Sequence, residues 1–203
     1  MTLPMSWNEW AQHDGVALAA RVRKGELTAA ELAAQAAAGT RVKVERTQTL
    51  DTARWHPRVA RLYRYWLSIH PPGGGLPGRQ HFDPVDIPEL LPGIWLLDVR
   101  YRPFRLRYRL AGTGIVEAIG REVTGQWLDE AHPHVRDDAA FFERYRRATE
   151  QKRPEWRKGR PRLWMHRDFG EIENLLLPLA RDGETVDILL AFTVLYRPDG
   201  SNA

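Results

Sequence analysis

The sequence predicts an α+β fold, and three observations carry that expectation. An amphipathic helical stripe ends in a firm chain break at "HPPGGGLPG"; two strand-like runs follow the break; and three more strand-like runs follow a set of short helical pieces punctuated by glycine. The order is therefore strand, strand, several short helices, then three strands.

Ahead of these elements the composition differs. Ser6 with Glu9, and Thr28 with Glu31, keep the S/T-x-x-E spacing of a capping box, in which side chains satisfy the orphan amides of a first helical turn. Two short helices are expected: "GVALAARVR", stopping at Lys24-Gly25, and the alanine-rich "TAAELAAQAAAG", ending at Gly39. A polar connector runs from Thr40 to Arg54, so residues 1–54 read as a helical extension and linker and residues 55–203 as the main domain.

The main domain leads with a helix from about Pro57 to Ile69, in which Val59, Leu62, Tyr63, Trp66 and Ile69 share one apolar stripe. Arg58, Arg61 and Arg64 occupy its other face. "DIPELLPGI" gives a short helix or turn between Pro84 and Pro92. "IWLLDVRYRP" and "FRLRYRLAGT" read as strands joined around Arg102-Pro103; in the second, Leu106, Tyr108 and Leu110 alternate with Arg105, Arg107 and Arg109, which leaves one wet face. "GIVEAIG" and "GQWLDEAH" are short helical pieces, and "DDAAFFERYRRATEQ" is a longer helix with Asp137 or Asp138 as cap. Strands return within Arg153 to Trp164, in "EIENLLLPLA" and in "TVDILLAFTVLYR", the last two joined by the turn Arg181-Asp182-Gly183-Glu184.

The glycines of "RYRLAGTGIVEAIGREVTGQWLDE" resemble a phosphate-gripping loop at first sight. A dinucleotide finger needs G-x-G-x-x-G, and after Gly112 and Gly114 the third position holds Glu117, a carboxylate where a phosphate would approach. No Gly-Lys-Ser or Gly-Lys-Thr occurs, which removes a P-loop. Gly112 and Gly114 instead turn the second strand into a short helix, and Gly120 and Gly125 end the small helices that follow.

Composition narrows the function classes. An apolar share of 43% suits a folded protein. No apolar run nears the ~20 residues that span a bilayer. The start "MTLPMSWNEWAQHDG" lacks the basic and apolar regions of a secretory signal. A cytoplasmic location without a membrane partner is expected. The absence of cysteine removes disulfides, thiolate metal sites and a cysteine nucleophile. The net charge of +4 is modest, with 30 basic residues against 26 acidic. The exception is Lys152 to Arg167, where Trp156 and Trp164 interleave with basic groups as in single-strand nucleic-acid binders. Arginines on the wet face of a strand give the same pattern, so a nucleic-acid partner is the secondary reading.

The motifs "HFDPVDIPELLPGIWLLDV" (His81–Val99), "RYRLAGTGIVEAIGREVTGQWLDE" (Arg107–Glu130) and "LLLPLARDGETVDILLAFTVLY" (Leu175–Tyr196) resemble a bacterial subgroup of the PAS domain family over roughly Trp55 to Tyr196. The resemblance implies a five-stranded antiparallel sheet with helices covering one face, the Pro57–Ile69 helix leading into it. It also implies a sensor or protein-interaction module that works through a protein partner, a homodimer or a small-molecule ligand. The missing cysteine excludes the adduct chemistry of a PAS flavin photosensor. Ser6 to Gly39 is similar to the opening helices of the amidase signature family. That family's Lys-Ser-Ser machinery is absent, because Ser6, Ser68 and Ser201 are the only serines and no Gly-Gly-Ser-Ser loop exists. An accessory or remnant role is all that this second resemblance implies.

Residue chemistry specifies no catalytic set, no metal site and no cofactor. His132-Pro133-His134 is a close pair near Asp137 and Asp138 but lacks a placed third ligand, and His132 or His81 alone is weak support for a haem. Glu171 with Glu173, and Asp129 with Glu130, lack an orienting partner for acid–base work, and no serine sits in a G-x-S-x-G context. A binding module remains. In the family the resemblance names, the pocket lies between sheet and helices, so the candidates are Tyr108, Leu110, Thr113, Ile115, Ile119, Trp127, Phe141, Leu176, Leu190 and Phe192. The stripe Val59, Leu62, Tyr63, Trp66 and Ile69 is the candidate dimer or partner surface. No output module follows the domain, so a signal is expected to leave by non-covalent contact.

Overall fold

Pro57 opens helix α1 (Pro57–Ser68), where its fixed φ suits a first turn and its missing N–H is no loss. The computed structural model describes residues 50–163 and 169–197. The expected helices and capping boxes before residue 50, and Trp164 to Arg167 of the basic segment, lie outside the described residues. Leu50–Pro71 and the residues from Gly75 onward make one compact unit. In it the strand pair β1 (Ile94–Tyr101) and β2 (Phe104–Ala111) is followed by helices α2 (Thr113–Ile119), α3 (Leu128–Ala131) and α4 (Ala139–Glu150). Strands β3 (Glu155–Gly159), β4 (Glu171–Leu179) and β5 (Ile188–Tyr196) complete a five-stranded sheet of order β2-β1-β5-β4-β3. Every pairing is antiparallel.

Both faces of the sheet are covered. Side chains alternate along a strand, and directly paired residues share a face. Leu175 pairs with Phe192 and Asn174 with Thr193, so these two pairs mark opposite sides. On the first side lies α1: Arg58 sits over the Phe192 ring, and Trp55 just ahead of the helix stacks on Trp156 of β3 with centroids 5.5 Å apart. On the second side lies α4, whose Arg144 reaches Asn174. Val59, Leu62, Tyr63 and Trp66 are fully buried in the core, and Trp66 Nε1 donates to the Pro178 carbonyl at 3.0 Å. The stripe read as a partner surface is covered by the domain's own sheet, with Ile69 half-buried at the helix end.

One expectation fails at a bulge. Leu110 is 44% exposed, although Leu106 and Tyr108 are buried as the alternation predicts. Leu96 pairs with Leu110 but the next residue, Leu97, pairs with Tyr108, so Arg109 is an extra residue in β2. An extra residue inverts every side chain beyond it. Leu110 therefore follows the face of Leu96, at an edge strand. Gly112, just beyond, has an ordinary φ of −65°, so torsion does not require glycine there. A Cβ would stand 2.3 Å from the Leu91 carbonyl oxygen and 2.6 Å from that of Pro92, so space does. Gly120 is the torsional case: at φ 79° it ends α2 in the left-handed region.

Candidate functional site

Helix α4 is amphipathic, with Phe141, Tyr145 and Ala148 buried, and Asp138 caps it by accepting from the Phe141 amide at 2.8 Å. Between this helix and the sheet lies a cavity of about 110 Å³. Trp95 from β1, Ile172 and Asn174 from β4, Thr193 from β5 and Arg157 from β3 meet Phe141, Arg144 and Tyr145 there. Arg162 and Leu163 close a further side.

The polar groups form a chain along the sheet surface. Trp95 Nε1 donates to Thr193 Oγ1 at 3.1 Å, and Asn174 Nδ2 donates to the same oxygen at 3.0 Å. Asn174 Oδ1 in turn accepts from Arg144 Nη1 at 2.5 Å. Arg144 Nη2 donates to the carbonyls of Glu155 and Asn174. Burial brings the Arg144 guanidinium down to about 10, with the nearby Arg157 charge acting in the same direction, so it remains a cation at neutral pH. Burial likewise lowers Arg157 and pushes the Tyr145 phenol up to about 12, where it keeps its proton.

The histidines singled out in the sequence each make a hydrogen bond within the fold. His132 is buried, its Nε2 2.9 Å from the Tyr108 hydroxyl, and burial lowers it to about 4. His134 Nε2 lies 2.7 Å from the Arg162 carbonyl oxygen. His81 is exposed and accepts from the Gly78 amide through Nδ1. Among the described residues no group of three His, Asp or Glu side chains could hold a metal ion. The paired carboxylates are also engaged: Asp129 and Glu130 both bind Arg105, and Glu171 pairs with Lys158. Glu173 is buried on the α1 side and accepts from the His56 amide, Trp156 Nε1 and the Tyr196 hydroxyl.

Of the residues chosen from sequence, Phe141 lines the cavity. Tyr108, Ile115, Ile119 and Leu176 are buried elsewhere in the core, while Leu190 and Phe192 are buried and share the α1 face of β5. Thr113 and Leu110 are exposed, and half-buried Trp127 lies under the Arg105 guanidinium at 4.3 Å. Sequence reasoning missed Trp95, Arg144, Tyr145, Arg157, Asn174 and Thr193. Two signals were present. Asn174 interrupts the apolar run "EIENLLLPLA", and Arg144 falls on the stripe of Phe141, Tyr145 and Ala148 at the position i+3.

Residues 54–193 match a family described as a PAS domain, which is more than half of the chain. No curated protein and no solved structure matches it. With the antiparallel five-stranded sheet, the helices over it and this match together, the chain belongs to the PAS domain family.

Proposed function

We propose that this chain is a non-enzymatic sensor that admits a small molecule to the cavity between the sheet and α4 and passes its occupancy to a protein partner, another protein or a second copy of the chain. Sensing or interaction is the general role of PAS domains. The cavity of about 110 Å³, with a hydrogen-bonded polar chain on one wall and apolar side chains around it, carries the reading. An engineered apolar cavity of about 150 Å³ takes up benzene, so the fitting ligand has a handful of heavy atoms and is far smaller than a haem or flavin. A ligand acts here by favouring one of two packings of α4 on the sheet. No described helix is long and apolar enough to cross a membrane; a cytoplasmic place of action is part of the proposal. In this reading residues 1–54 are an extension and linker, and the family match begins at residue 54.

The nucleic-acid reading has little support. Lys152 pairs with Glu184, Arg153 with Glu155, Lys158 with Glu171 and Arg162 with Asp138, while Trp156 stacks on Trp55 instead of offering a free face. Native mass spectrometry of the full chain, purified from its producing cells and compared with the denatured mass, tests the sensor reading. The expected result is a small non-covalent adduct that is lost on denaturation; a bare mass overturns ligand sensing.

A further inference from the structure

The cavity presents hydrogen-bond donors with no matching acceptors. Arg144 Nε is buried and has no hydrogen-bond partner, and the acceptors of its Nη atoms are all neutral. The closest candidate counter-ion, Glu155, is held by Arg147 and Arg153. Arg157 donates through Nη2 to the Arg160 carbonyl at 2.6 Å and has no carboxylate partner among the described residues. Arg162 is already neutralised by Asp138. Thr193 Oγ1 accepts two hydrogen bonds, from Trp95 and Asn174, so its own O–H proton points to an acceptor that the described residues do not supply. No Asp or Glu lines the cavity. A buried cation without a counter-ion is costly, and an unsatisfied buried donor adds to that cost.

We infer that this cavity is a site for a small organic carboxylate, whose oxygens take Arg144 and Arg157 and whose short carbon chain lies against Trp95, Phe141 and Ile172. The inference rests on the sensor reading and names its ligand class. The Arg144 Nε–H and the remaining N–H groups of Arg157 are charge-assisted donors for the two oxygens of a carboxylate. The apolar walls favour an acid with a carbon chain over inorganic phosphate, which would leave them idle.

Isothermal titration of the full chain at fixed ionic strength, with butanoate, succinate, butanamide and inorganic phosphate, tests this. Butanoate or succinate is expected to bind one to one, and butanamide at least ~10-fold more weakly, the lower end of the range expected for hydrogen bonds to a charged group. Arg144→Met is expected to reduce carboxylate affinity by a similar factor. Arg157→Met provides the same readout if the first variant does not fold. Equal binding of butanamide and butanoate, unchanged affinity in a folded Arg144→Met or Arg157→Met, or tighter binding of phosphate than of either acid overturns the carboxylate class. If native mass spectrometry finds a retained adduct that butanamide displaces as well as butanoate does, the charge class falls and the sensor reading stands. If there is no adduct and no probe binds, both fall.

Discussion

At Gly112 a single hydrogen stands where the carbonyl oxygens of Leu91, Pro92 and Ile94 converge. Gly112→Ala forces backbone to move, because none of the three atoms belongs to a flexible side chain. The expected cost is about 3 kcal/mol, at the upper end for overpacking, measured as a shift in the urea unfolding midpoint. The sequence marked this residue as a turn glycine, which is right in place; the crowding behind it comes from a segment twenty positions earlier and has no local signature. Arg144 is the opposite case. Its position on the apolar stripe of α4 was readable, but an arginine is ordinarily assigned to water, and only the occupied state of Glu155 makes its charge an open one.

Elements were more legible than residues. The helical stripe of α1, the long helix α4 and the alternating strand β2 follow from periodicity, because each must bury one face, while the other strands follow from short runs bounded by turns. What periodicity could not assign was which face each strand residue takes. The run Ile188 to Val194 is buried on both sides, so it carries no alternation, and the Arg109 bulge shifts the phase of β2. Glu173 shows the energetic weight of that choice. It joins the start of α1 to β3 and β5 by accepting from His56, Trp156 and Tyr196 at 2.8, 3.0 and 2.9 Å. Glu173→Leu strands three donors and is expected to cost about 3 kcal/mol in urea unfolding, while Glu173→Gln keeps one acceptor oxygen and costs less.

For the molecule as a whole, buried histidine sets a lower limit on pH. His132 falls from its usual 6.5 to about 4, first through burial and then through the neighbouring charges of His134 and Arg121. The unfolded chain takes up this proton as pH drops below 6.5 and the folded chain does not, so stability is present above 6.5 and is lost as pH falls toward 4. The expected loss is about 3 kcal/mol between neutral pH and pH 4. Burial lowers His56 and His70 as well, which tilts the profile the same way. His132→Gln removes the titration while leaving an amide to meet Tyr108, and unfolding curves across this range are expected to show a flatter slope in the variant than in the parent. The alternation of β4 has a mechanical side too. Asn174, in the cavity wall, and Glu173, beneath α1, are joined by one peptide bond, so the two layers of helices are separated by the thickness of a single backbone. Any rotation of that peptide plane moves both side chains at once, as a lever does about its pivot. The amide proton of His56, on the far side of the sheet, is therefore the place where hydrogen exchange registers a disturbance that begins at Asn174.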